Sequence, residues 1–275
     1  MNQQELIIRP GKSISHYWTE LWHYRELFLF LSWRDILVRY KQTALGVAWS
    51  VLRPFLTMIV FTVIFGKVAK LPADTGIPYP IMVFAAMLPW LLFSTAFQEG
   101  SNSLIANAGM ISKVYFPRII IPVSTIVVSL IDFAISFVIF IGLMIWYHYV
   151  PSIKTFTLPL FLIFALIPSL GAGLWIASLN VRYRDFKFII PFVVQFGLYV
   201  SPVGFSSSIV PAKWRFLYSL NPMVGVIDGF RWAITGNAKL IYWPGMLLSI
   251  CLSLIILVSG FWYFRSTERT FADVI

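Results

Sequence analysis

Gly11-Lys12-Ser13 has the ending of a phosphate-binding loop, in which backbone N–H groups and a lysine hold nucleotide phosphates. The full pattern, G-x-x-x-x-G-K-[ST], needs another glycine at position 6, and that residue is Leu6. No strand precedes the motif and no room for a nucleotide fold follows, so any ATP is expected on another chain. The three histidines, His16, His23 and His148, belong to no H-E-x-x-H helix, and no G-x-S-x-G nucleophile elbow is present. No two carboxylates share a helix face within an apolar run, so neither a metal site nor a catalytic constellation is expected. The single cysteine, Cys251, sits in an apolar run, allows no disulfide framework and reads as a small buried hydrophobe. Asp132 stands out. It lies about 20 Å along an apolar helix from Arg118 at ~1.5 Å per residue, near the middle of a bilayer. A carboxylate there must be paired, neutral or facing water; a pore-facing or partner-bound role is expected, with proton coupling and mis-set span ends as alternatives.

These residues sit in a chain that is 59% hydrophobic and 12% charged, with a mean hydropathy of +0.82. A soluble domain is typically about 45–50% apolar and 25% charged, so the expected solvent is lipid. Apolar runs near the ~20 residues that cross a bilayer as a helix exclude a closed barrel, whose strands alternate over about 10 residues. The expected fold is all-α and integral to the membrane, a single transmembrane domain over 1–275 with spans at about 47–66, 80–97, 119–147, 156–180, 188–204 and 243–264. Of the 21 Lys and Arg residues, 14 fall on the side of the N-terminus and seven on the other, which places both termini in the cytoplasm. The net charge of +10 is therefore read as orientation and not as a nucleic-acid footprint. Residues 1–26 lack the apolar core of a cleaved signal peptide.

Two non-spanning segments are informative. Between residues 14 and 31, Ile14, Tyr17, Trp18, Leu21, Trp22, Phe28 and Leu31 recur at helical spacing opposite Ser15, His16, Thr19, Glu20, His23 and Glu26. This predicts an amphipathic helix lying flat, against either the headgroups or the protein's own cytoplasmic face. The stretch 205–242 is too apolar for a solvated loop and is broken by Pro211, Pro222 and several glycines. It predicts two short helices, around 211–220 and 223–235, that re-enter the outer leaflet without crossing. Asp228 and Arg231, three apart, are expected to pair at the headgroup level. Ser169, Gly173 and Ala177, and Gly225 with Gly229, are expected at close helix contacts.

The run Arg39-Tyr40-Lys41-Gln42-Thr43-Ala44-Leu45-Gly46-Val47-Ala48-Trp49, followed by Pro54 and Phe65-Gly66, resembles the opening of the permeases of polysaccharide ABC exporters. Tyr115-Phe116-Pro117-Arg118, Leu179-Asn180-Val181-Arg182-Tyr183-Arg184-Asp185, Leu220-Asn221-Pro222 and Asp228-Gly229-Phe230-Arg231 extend the resemblance over nearly the whole chain. It implies a homodimer with a pore on its twofold axis, joined to two copies of an ATP-binding subunit that carries ATP and magnesium; no cofactor is expected in this chain. It implies export of O antigen, capsule or teichoic acid as a lipid-linked polysaccharide across a bacterial inner membrane, with O antigen favoured. An ABC permease for a lipid or drug is the alternative; an ion-coupled transporter and a membrane transferase are weaker readings, lacking paired intramembrane charges, internal repeats and a catalytic constellation.

Within that frame Arg39, Lys41 and Arg53 are expected at the cytoplasmic entrance, attracting the pyrophosphate between glycan and lipid, with positive-inside anchoring and snorkelling as the alternative. Gly46 is expected to join a short helix beginning near Trp33 sharply to the first span, making that helix a lever. The resemblance suggests that the segment from Glu99 through Asn102 and Asn107 to Lys113 couples to the ATPase, with an inert loop as the alternative; Arg182, Arg184 and Asp185 form a turn suited to the same partner or to plain anchoring. Trp214, Tyr218, Asn221, Pro222, Asp228 and Arg231 are expected in an outer gate. The 25 Phe, 12 Tyr and 11 Trp supply π faces on which a sugar can slide, although most are expected in interfacial belts and packing.

Overall fold

The computed structural model describes residues 14–41, 46–71, 77–183 and 185–271, so Gly11-Lys12-Ser13, the join at residues 42–45 and Arg184 lie outside the described residues. Two helices open the chain, α1 (Ile14–His23) and α2 (Arg25–Lys41). Then come α3 (Gly46–Phe61), prolonged as a π-helix over Thr62–Val68, and α4 (Tyr79–Ala106), followed by a single turn, α5 (Ala108–Ile111). The rest are α6 (Ile120–Trp146), α7 (Leu158–Arg182), α8 (Phe186–Val200), α9 (Ala212–Tyr218), α10 (Pro222–Thr235) and α11 (Trp243–Thr267).

Five of these segments are long and apolar enough to cross a membrane, containing α3, α4, α6, α7 and α11. The expected span 188–204 is shorter than its apolar run. α8 has 15 residues, about 22 Å at ~1.5 Å per residue against the ~30 Å of hydrocarbon. Pro202 explains the stop: the residue before a proline is pushed out of the helical region, and Ser201 has φ −83° and ψ 152°. The flat N-terminal segment is also rearranged. Instead of one helix over 14–31 and another from Trp33, the chain breaks at Tyr24 and α2 runs unbroken to Lys41.

α4 is the central helix. It packs on α7, α6, α10, α3 and α8, and nearly every residue from Ile81 to Phe97 is buried. α3, α4, α6, α7 and the short α8 alternate direction and α11 runs parallel to α7, which gives two apolar cores at opposite ends of the bundle. One collects Leu104, Ile119, Leu174, Val181 and Phe264, and onto it fold Tyr17 and Leu31 of the first two helices. The other collects Phe84, Phe140, Phe161, Met223 and Phe230 beneath α10. The apolar side of α1 and α2 thus faces mainly the protein, while Trp22, Leu29, Phe30 and Trp33 remain exposed.

Lipid offers no hydrophobic drive for helices to associate, so close backbone contact must do that work. It is closest between α7 and α11, where a Cβ on Gly260 would stand 2.2 Å from the Gly171 carbonyl oxygen and a Cβ on Gly171 would stand 2.5 Å from Leu257 Cα. Gly225 and Gly229 serve α10 in the same way, against Ser249 of α11 and the Phe161 ring. Ser169 and Ala177 are fully buried on α7, and Gly173 meets Gly100 of α4 at ordinary contact distance. Cys251 lies on the far side of α11 from Ser249 and Ser253 and is exposed, which corrects its reading as a buried hydrophobe.

Gly260→Ala should therefore lower the thermal midpoint of the detergent-solubilised protein, at a cost of about 1–3 kcal/mol for overpacking. Gly142→Ala, whose Cβ meets nothing within 4 Å, should leave the midpoint level or raised.

Candidate functional site

Arg39, in the last turn of α2, reaches across to two spans. One guanidinium nitrogen lies 2.6 Å from Asp132 Oδ2 of α6, and the other lies 2.8 Å from Glu99 Oε1 of α4. The Tyr40 hydroxyl donates to the other oxygen of Asp132. Burial pushes the Tyr40 phenol above its ordinary pKa, and its hydrogen bond to Asp132 and that carboxylate's charge push it further, so it stays a protonated donor. The conspicuous carboxylate is thus partner-bound, by residues more than 90 positions away in sequence. A turn earlier on α2, Arg34 holds Asp35 at 2.7 Å and donates to Asn107 Oδ1 at 2.8 Å. Four polar contacts fasten α2 to α4 and α6.

Two cavities flank this junction. One of 420 Å³ is lined by Arg34, Asp35, Arg39, Glu99, Asn102 and Asn107 among others. The second, of 300 Å³, is lined by Arg39, Trp49, Ser50, Arg53, Thr95 and Asp132 among others. The expected entrance cations are therefore divided. Arg39 and Arg53 share the smaller cavity, whereas Lys41 is exposed and lines neither. Arg39 is held by two carboxylates and not poised as a spare cation; among the described residues no carboxylate stands within ion-pair distance of Arg53.

The segment expected to couple to a partner divides likewise. Glu99 and Asn107 face α2, and Asn102 accepts from Asn180 Nδ2 of α7 at 3.4 Å. Ser101 and Ser103 are buried because α4 continues as a packed helix past the end of its apolar run. The exposed residues are Lys113, Arg182, which lies over the Tyr183 ring at 5.5 Å, and Asp185. Glu268, which nothing in its local sequence singles out, accepts from the Arg118 backbone N–H at 2.7 Å and from the Tyr17 hydroxyl at 3.3 Å, joining the chain's two ends. Among the described residues no three His, Cys, Asp or Glu side chains are grouped to hold a metal ion.

At the opposite end the stretch 205–242 contains the two expected helices, α9 and α10. Asn221 caps α10 through its Oδ1, which accepts from Met223 N–H at 3.0 Å, and Pro222 occupies the first helical position. Gly236, at φ 73°, ends the helix. Arg231 is fully buried, not at a headgroup surface. Its guanidinium donates to Phe205 O at 2.7 Å, Val203 O at 3.0 Å and Met82 O at 3.2 Å. Asp228 is buried as well. α9 has no buried residue and leaves Trp214 exposed, with Tyr218 donating to Val200 O at 2.8 Å. Burial and the neighbouring Asp228 push the Tyr218 phenol up, against the pull of Arg231.

Three outcomes test this geometry. Asp132 is 15% exposed and Glu99 47%, so Asp132→Asn should cost about 1–3 kcal/mol and Glu99→Gln only ~0–1 kcal/mol by thermal unfolding. Combined with Arg39→Gln, the Asp132 change should be non-additive by about 0.5–3 kcal/mol, because the two side chains touch. Arg231→Ala would strip three carbonyls of their shared donor, and amide exchange over 222–235 should rise; unchanged exchange there would contradict the clamp.

The chain matches the family described as ABC-2 type transporter, the ABC2_membrane family, over residues 26–235. It is 27% identical over 259 residues to the O-antigen export system permease protein RfbA of Myxococcus xanthus, covering 93% of this chain and 98% of that protein. It is 25% identical over 258 residues to the RfbA protein of Klebsiella pneumoniae, covering 91% of this chain and 95% of that one. With the polysialic acid transport protein KpsM of Escherichia coli it shares 24% identity over 211 residues, 75% of this chain and 79% of the other. The chain, with its bundle of apolar helices around α4, belongs to the ABC-2 type transporter membrane family.

Proposed function

We propose that this chain is the membrane subunit of an ABC exporter that moves a lipid-linked polysaccharide, O antigen in the first instance, across a bacterial inner membrane, with ATP hydrolysed by a separate subunit. The similarity to O-antigen export permeases over more than nine-tenths of both chains carries this reading. Capsular export is the second reading, favoured by the shorter match to a polysialic acid transport protein. The two-to-one excess of Lys and Arg on the side of the termini supports a cytoplasmic position for α1, α2 and the junction at Arg39.

The 300 Å³ cavity then opens toward the cytoplasm with Arg53 as its available cation, suited to the pyrophosphate that joins glycan to lipid. Phe188, Phe192, Phe196 and Tyr199 leave an exposed aromatic ridge on α8, with the Phe192 and Phe196 rings stacked 5.6 Å apart. Facing a pore between two copies of the chain, that ridge offers a sugar chain repeated π faces without position-specific hydrogen bonds. The pairing into a homodimer and the docking of Lys113, Arg182 and Asp185 on the ATPase belong to the same proposal. So does an outer gate at the hairpin, in which α10 is the fixed part and α9 the moving one, since the first is buried and the second is not.

Deleting the gene should remove the polysaccharide from the cell surface and leave it lipid-linked inside. Purified alone in liposomes the chain should hydrolyse no ATP; hydrolysis without a second protein would sink the assignment. Arg53→Gln should reduce export at normal protein level, and normal export would remove Arg53 from the entrance.

A further inference from the structure

A groove of 1130 Å³ runs along the side of the bundle between α3, the start of α4 and the end of α6, larger than the ~300–1,000 Å³ of a typical ligand pocket. Its walls are apolar side chains such as Phe55, Met58 and Leu143, and one cation, Lys67, stands on its lining. The groove continues the entrance cavity along the same helix: α3 gives Trp49, Ser50, Arg53 and Pro54 to the cavity, and then Phe55, Met58, Ile59 and onward to Lys67 to the groove. Arg53 and Lys67 are 14 residues apart, about 21 Å at ~1.5 Å per residue. With snorkelling side chains, the two cations can reach the two edges of a hydrocarbon layer about 30 Å thick.

The far end of the groove has the features of a membrane boundary. Trp146, 80% exposed, and Tyr147 line it beside Lys67, and such rings gather at headgroup level. Here α3 is wound as a π-helix over Thr62–Val68, a form that concentrates at functional sites. Gly66 in that segment lies against the Tyr79 ring, where a Cβ would come within 3.1 Å, and the Tyr79 hydroxyl donates to Gly204 O at 2.6 Å in the turn before the hairpin. The floor of the groove is therefore tied to the segment proposed as the outer gate.

We infer that this groove holds the lipid end of the cargo, a long-chain lipid phosphate or pyrophosphate, with its chain along α3 and α6 and its phosphate on Lys67. The inference rests on the export reading above and adds a second lipid site to it, on the exit side. Charge decides against a second copy of the chain as occupant. Among the described residues the hairpin end has Asp228 as its one carboxylate, and that is buried. A second copy thus offers Lys67 no described carboxylate, whereas a lipid phosphate supplies the anion. Continuity with the cavity at Arg53 favours the cargo's own lipid over bulk phospholipid, which has no need of a track from one cation to the other.

The test uses the complex with its ATP-binding subunit, reconstituted in vesicles containing a photoactivatable long-chain alkyl pyrophosphate. Label is expected on peptides spanning 55–67 and 139–147. Gly142 lines the groove, and its Cβ would meet nothing within 4 Å, so Gly142→Trp directs an indole into open space and, at normal protein level and thermal midpoint, should cut both labelling and export at least fivefold. Lys67→Gln should cut labelling several-fold and Lys67→Arg should restore it. Undiminished labelling in Gly142→Trp or Lys67→Gln would overturn the inference. So would equal labelling by photoactivatable phosphatidylglycerol, or a zero-length crosslink between two copies through Lys67. If the export reading itself fails, the probe labels neither the Arg53 cavity nor the groove; if the groove alone fails, the Arg53 cavity still takes label and Gly142→Trp exports normally.

Discussion

A carboxylate set within an apolar helix must find a cation or give up its charge, and Asp132 finds Arg39. The position of α2 follows from that pair. Arg39 sits one residue before the Tyr40 hydroxyl that completes the Asp132 contact, so the end of α2 is registered against α6 and cannot slide or roll freely. The second ion pair brings in α4 at Glu99, where the central helix leaves the apolar core. Three elements distant in sequence are thus fixed at one point, and the two cavities beside it take their shape from that fixing. Asp132 also keeps the cavity at Arg53 from being a uniformly cationic well, since one of its two guanidinium groups is already neutralised.

Five of the six expected spans were legible because each is an apolar run of membrane-crossing length, a signal that needs no partner to be read. Their ends were less legible. α4 runs on through Glu99 to Ala106 because its polar residues there meet α2 and α7, and such meetings leave no periodicity in a single segment. Asp132 was conspicuous from its own surroundings, while its partners were not, since 92 residues separate it from Tyr40. Arg231 looked like a headgroup-level cation because aspartate three residues earlier suggests a surface pair. Three of its acceptors are backbone carbonyls, which every residue carries and no side-chain pattern advertises. Cys251 was misplaced for a related reason: in an apolar helix, hydrophobicity does not say which face meets protein, and the small residues Gly245, Ser249 and Ser253 mark the packed face instead.

The hairpin end is organised by the same demand in a different form. In a low-dielectric setting a carbonyl without a donor is costly, and the turn after α8 presents Val203 and Phe205 to the interior. One planar guanidinium with its fork of donors meets both and a third carbonyl on α4, a geometry a lysine ammonium does not reproduce. Arg231 therefore belongs to the architecture of α10, whereas α9 has no buried residue and makes no such contact with the interior.

Glu268 joins the N-terminal helix to the last span across 251 residues of chain. A ribosome adding ~5–20 residues per second needs roughly 12–50 s to make that length, so Tyr17 is synthesised long before the carboxylate it contacts. During that interval α1 has neither Glu268 nor the Phe261 ring against which Tyr17 packs at 6.3 Å. Until then the core on which Tyr17 folds has the side chains of α4, α6 and α7 and lacks Phe264. The contacts of Tyr17 with Phe261 and Glu268 thereby form only once α11 and the turn after it have been made, and a chain cut short before α11 lacks them.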